Sequence, residues 1–108
     1  MKIVVTGLIA TYPLGGVAWD YLAYVSGFRR LGHEVFYLED TGQWLYDPRA
    51  GTFTDDIGFN VAYLADALSR AGETMRTHWS LRAPDGTYHG APLAEVERFC
   101  SGADLFLN

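Results

Sequence analysis

Two adjacent glycines, Gly15 and Gly16, stand between a short apolar run and the first helical pattern of the chain. Without side chains, their backbone lets a ligand approach closely. The helix start beyond them offers unpaired N–H groups to an anion. A phosphate or a sugar hydroxyl suits such a place, and so does a plain turn into the helix. Neither common nucleotide signature is present. Gly7 is followed by Leu8, Ile9 and Ala10, so the G-x-G-x-x-G spacing is missing, and no phosphate loop ending in Gly-Lys occurs. A nicotinamide-dependent oxidoreductase or an epimerase fragment loses weight on that ground.

Glu39 and Asp40 follow an apolar stretch and end it with two acids. In doubly wound sheets an acid at this point can hold sugar hydroxyls; a solvated strand end is the alternative. Trp44 and Tyr46 follow in a loop, and Tyr12 lies in the loop before Gly15. Flat apolar ring faces match the faces of a pyranose, so Trp44 and Tyr46 are candidates to stack on a sugar ring; Tyr12, Trp44 and the two acids Glu39 and Asp40 are the candidate sugar contacts. Packing of the loop onto the domain is the competing role for the rings. Asp20, in the first helix, is a candidate general base or a partner of the helix dipole. His33, His78 and His89 are scattered and no His-x-x-x-His pair exists, so no metal site is expected. Cys100 is the single cysteine; it rules out an internal disulfide and is expected to be a buried small side chain.

The elements that must position these groups follow from periodicity. Lys2 to Thr6 reads as a strand buried on both faces. From Val17 the apolar residues Val17, Tyr21, Val25, Phe28 and Leu31 recur at helical spacing, with Arg29 and Arg30 in the last turns and Gly32 as the stop. Glu34 to Leu38 is a second strand. Residues 41 to 55 show no period, and so long a stretch in a small domain points to function. A second helix is expected from Asp55 or Asp56 to Ala71, with Phe59, Tyr63 or Leu64, Ala67 and Leu68 inward. Thr74 to Leu81 reads as strand three. Asp85-Gly86 marks a turn pairing residues 79–82 with Tyr88 and His89. A third helix runs from Pro92 to about Ser101, with Leu93, Val96 and Phe99 inward, and Asp104 to Leu107 is strand four.

Alternating strands and helices imply one α/β domain over residues 1–108. The expected form is a three-layer, Rossmann-like, mostly parallel sheet of order 3-2-1-4, with helices on both faces and a small hairpin after strand three. Hydrophobic residues at 49% and charged ones at 19% are enough for a core and argue against disorder. Thirteen acids against eight bases, a net charge of −5, argue against a nucleic-acid partner. No run approaches the roughly 18 apolar residues of a membrane span. The opening carries one basic side chain and no small-x-small cleavage pattern, so a cytoplasmic location is expected. Strand four would leave an apolar sheet edge, which proteins usually cover. The chain is therefore expected to be the amino-terminal half of a longer protein; the alternative is a stand-alone binding module, dimeric through that edge.

The opening MKIVVTG, the Gly15-Gly16 loop, the helix, RLGHEV over residues 30–35 and the continuation VFYLED together resemble the amino-terminal domain of GT-B fold glycosyltransferases, over residues 1 to about 42. The resemblance implies two Rossmann-like domains facing across a cleft. The amino-terminal one holds the acceptor, and a carboxy-terminal one, here missing, holds a nucleotide-sugar donor. It implies that Gly15 and Gly16 line the cleft near the sugar and diphosphate, and that no metal or other cofactor is bound. Half the site would then be absent from this domain, which would be inactive alone. Many inverting members take their base, a His or Asp, from the first loop or helix; no His stands between Gly7 and Gly16, so the base stays unassigned, with Asp20 as the candidate in the helix.

Overall fold

The first strand forms where Ile3, Val4 and Val5 follow one another, three residues that bury both faces of a strand at once. In the computed structural model, which describes residues 1–107, this is β1 (Lys2–Thr6). The order continues with α1 (Gly15–Arg30), β2 (Glu34–Glu39), β3 (Leu45–Asp47), β4 (Thr52–Thr54) and α2 (Gly58–Ser69). A 3-10 turn (Glu73–Arg76), β5 (Trp79–Arg82), β6 (Tyr88–Gly90), α3 (Leu93–Ser101) and β7 (Leu105–Leu107) complete it. The result is a mixed α/β domain with one five-stranded, mostly parallel sheet and three α-helices. The strands lie in the order β6-β5-β2-β1-β7, and only β6 runs antiparallel to its neighbour; β3 and β4 form a separate hairpin.

Alternation along the strands divides the packing. Ile3, Val5, Val35 and Tyr37 join Ala18 and Val25 of α1 and Leu64, Ala67 and Leu68 of α2 in one buried cluster. The alternate residues Val4 and Phe36 are buried as well, and the Phe36 ring lies 5.2 Å from Phe99 of α3. At the far end of α1 the chain stops by a Schellman arrangement. Gly32 at φ +87° lets its own N–H reach the Arg29 carbonyl (3.0 Å) while His33 N–H reaches that of Phe28 (3.1 Å).

Several boundaries differ from the sequence expectation. Helix α1 begins at Gly15, so the two glycines form its first turn instead of a loop before it. Leu14 is extended and its carbonyl accepts from Ala18 N–H at 3.1 Å; first-turn glycines add nothing to an apolar period and so were invisible to it. Leu31 was expected on the inner face of α1 but is 73% exposed, because the chain is already leaving the helix there. Residues 41–55 are not structureless. Asp47 turns the chain by accepting from the Arg49 and Gly51 N–H groups (2.9 and 2.8 Å), and β4 folds back on β3. Helix α2 starts at Gly58 instead of Asp55 or Asp56, since Asp56 N–H is first taken by the Thr54 hydroxyl (3.0 Å). The segment expected as the start of strand three is the 3-10 turn, which plugs the core with the fully buried Met75; β5 begins only at Trp79. Strand β7 is the sheet edge beside β1, with Leu105 and Phe106 exposed. Leu93, expected inward, is exposed at the start of α3.

Candidate functional site

The loop from β1 to α1 leaves the carboxyl end of a parallel strand, where ligands bind in sheets of this kind. Its path is set by close packing. A Cβ at Gly7 would stand 2.7 Å from the Tyr21 ring and 2.8 Å from the Tyr37 hydroxyl, so only glycine fits. Beyond it Ile9, Ala10 and Thr11 are fully buried.

What holds them is the carboxylate of Glu39, itself 0% exposed at the end of β2. Its Oε1 accepts from Ala10 N–H (3.0 Å) and from the Tyr37 hydroxyl (2.7 Å). Its Oε2 accepts from Thr11 N–H and from the Thr11 hydroxyl, both at 2.6 Å. The Tyr37 oxygen in turn accepts from Ile9 N–H at 3.1 Å. No ion pair involves Glu39 among the described residues; donors of the loop and of Tyr37 replace a cation. Burial pushes the Glu39 carboxyl above the usual range, and the four hydrogen bonds oppose that rise without cancelling it. The Tyr37 hydroxyl is pushed well up, first by burial and then by the charge of Glu39.

Asn60 ties in the other elements. Its amide Nδ2 donates to the carbonyls of Ala10 (2.8 Å) and Tyr46 (2.9 Å), and its Oδ1 is buried without a protein partner. Tyr46 N–H donates to the Thr11 carbonyl at 2.8 Å. Loop, β2, β3 and α2 therefore form one bonded unit. On it lies a cluster of rings: Tyr12, Tyr46 and Phe53 have centroids 5.7 to 6.4 Å apart.

The residues singled out from the sequence take different places in the fold. Tyr12, half-buried, belongs to the ring cluster, and Trp44 is exposed at the entrance to β3. Gly15 and Gly16 are exposed in the first turn of α1, with no atom within 4 Å of an added Cβ and no side-chain cap on the helix. Glu39 is turned inward and its oxygens are engaged, so in this arrangement it holds the loop and does not face a ligand. Asp40 is exposed and lies 3.6 Å from Arg82 of β5. Asp20 is exposed on α1 and makes no hydrogen bond or ion pair. Among the described residues no three His, Cys, Asp or Glu side chains gather as a metal would require. Cys100 is half-buried instead of buried, and desolvation pushes its thiol up, away from a reactive thiolate.

Thr11, Tyr37 and Asn60 were missed by sequence reasoning. Asn60 left a trace: a polar residue on the stripe that continues as Leu64, Ala67 and Leu68, where only a satisfied polar group is tolerated. No helix among the described residues is long and apolar enough to cross a membrane. The chain matches no family model, and no curated protein and no solved structure is similar to it.

Proposed function

We propose that this domain is the amino-terminal, acceptor-side domain of a GT-B-type glycosyltransferase. The observation that carries the reading is the β1–α1 loop: its backbone is held rigidly by a buried carboxylate, and it leads directly into an uncapped glycine helix start. A preorganised loop next to an open helix N-terminus suits a polar, partly anionic ligand. The order β5-β2-β1-β7, with Tyr37 against α1 and Phe36 against α3, supports reading the sheet as three-layer and Rossmann-like, its strands ranking 3-2-1-4.

In this reading a neutral sugar of the acceptor lies against Tyr12 and Trp44, with Asp40 at the rim accepting from hydroxyls. The Gly15 and Gly16 N–H groups face the diphosphate of a nucleotide-sugar donor held by a second, carboxy-terminal domain. That donor is a co-substrate, and the acceptor is a small molecule or glycan in the cytoplasm. The domain positions and orients; alone it does not transfer. No base is assigned, since Asp20 has no partner to orient it.

Saturation-transfer NMR with neutral mono- and disaccharides tests the acceptor surface. Transfer to ring protons is expected with the wild type and is lost in Trp44→Ala at an unchanged melting temperature. No transfer to any sugar overturns the acceptor assignment. In the natural enzyme Gly15→Val lowers turnover without unfolding, because the added side chain meets open space. Wild-type turnover in that variant overturns the role of the loop.

A further inference from the structure

Trp19 is the most exposed large apolar side chain among the described residues, at 75%. It stands on the solvent-exposed flank of α1, beside a groove of about 620 Å³ whose other wall is α2, with Tyr63 and the mutually paired Asp66 and Arg70. Ala23, Ser26 and Arg30 line the same groove. At 100° per residue these four positions fall within an arc of about 60°, one stripe along the helix. The two small residues occupy its middle, and the large ring and the cation stand toward its ends.

Two charged groups on α1 are unused. Arg30 is the one arginine among the described residues with neither a hydrogen bond nor an ion pair. Arg29 beside it donates to the Ala71 carbonyl and the Thr74 hydroxyl, and the other five are all in ion pairs. Asp20, next to Trp19, likewise makes no hydrogen bond or ion pair among the described residues. An exposed indole, an acid and a cation without protein partners thus stand on one helix, open to contacts from a second molecule.

The stripe is complementary to itself. An antiparallel copy of α1, related by a two-fold axis crossing the helix between Tyr24 and Val25, sets Trp19 opposite Arg30 and Ala23 opposite Ser26. A two-fold interface repeats each contact, residue i with j and j with i. The small pair at the crossing lets the helices approach to an ordinary packing distance. Each Arg30 then reaches the face of the other copy's Trp19, a cation–π arrangement, with the other copy's Asp20 one position away as its counter-charge. The pairing uses all three unsatisfied groups, and opposite charges meet despite the net charge of −5 that otherwise sets copies apart.

We propose that the outer face of α1 is a homodimer interface, in which the stripe Trp19, Ala23, Ser26, Arg30 packs antiparallel on its own copy. This does not rest on the glycosyl-transfer reading. Sedimentation velocity on the natural chain over a range of concentrations tests it. A reversible dimer is expected. Arg30→Asp and Asp20→Arg alone each weaken it about tenfold or more, and the combined charge swap recovers most of that loss. Trp19→Ala weakens it as well. All these side chains are exposed, so the variants keep the wild-type circular dichroism, and the wild-type melting temperature at concentrations where the wild type is a monomer. A monomer at every concentration overturns the proposal. So does a double variant as weak as its worse single. A dimer indifferent to Trp19→Ala and Arg30→Asp also overturns it, and places the contact elsewhere, with the β7 edge as the next surface to block.

Discussion

At the scale of single residues, Glu39 is the centre of the molecule's polar interior. Its carboxylate accepts from the Ala10 and Thr11 N–H groups, which would otherwise be buried unpaired. Glu39→Gln keeps the shape but presents an amide NH₂ to at least one of those donors. A loss of about 1–3 kcal/mol is expected, read from urea unfolding. The same carboxyl gives a pH signature. Its value in the folded protein lies above the ordinary one, so between the two values the folded state holds more proton than the unfolded chain. Its contribution to stability is full below the ordinary value and is lost as pH rises through the raised one. Asp47, held down by the Arg49 guanidinium, acts with the opposite sign: it stabilises above the ordinary Asp value and that support disappears as pH falls. Urea midpoints followed across the acid range show both arms. Glu39→Gln flattens the upper arm alone, and Asp47→Asn the lower.

At the scale of elements, the stop of α1 and the anchoring of α2 are the sensitive points. Gly32 sits at φ +87° with open space around its Cα, so Gly32→Ala carries a backbone cost alone. About 1 kcal/mol is expected, seen as a drop in melting temperature of roughly 4–8 °C for a domain of this size. Asn60→Leu removes both amide bonds to the Ala10 and Tyr46 carbonyls and loosens the loop from β3. Hydrogen exchange of Tyr46 N–H, bonded to the Thr11 carbonyl, speeds up in that variant more than exchange within β1. Equal acceleration at both places would mean that α2 does not anchor this loop.

At the scale of the whole molecule, stability concentrates between the sheet and the α1–α2 layer. Leu64 is fully buried there, whereas Leu105 on β7 is half open to solvent. Leu64→Ala is expected to cost about 2–5 kcal/mol and Leu105→Ala less than about 1, by the same urea measurement. A similar loss at both sites would show the β7 edge to be covered in solution.

The sequence by itself determined the alternation of strands and helices, because burial on one or two faces writes a period of 3.6 or a solid apolar run into the chain. Ile3 to Val5, Val35 to Tyr37 and the stripe from Tyr21 to Phe28 are legible in that way. So were the α1 stop at Gly32 and the β5–β6 hairpin, whose turn residues carry their own backbone preference. Gly15, Gly16, Asp40 and Trp44 stand out in the sequence by residue type, and the fold leaves all four exposed. The tertiary structure alone decided the rest. Glu39 reads as a strand-end acid until the loop folds over it, since three of its four donors, on Ala10 and Thr11, are 28 and 29 residues away. The β3–β4 hairpin shows no period because its rings pack on Tyr12, not on the sheet core. Met75 looked like part of a strand because alternation over four residues does not separate a strand from a 3-10 turn. Local pattern records which side of an element is buried; which partner buries it, and whether a charge finds its donors, depends on contacts between residues far apart in the chain.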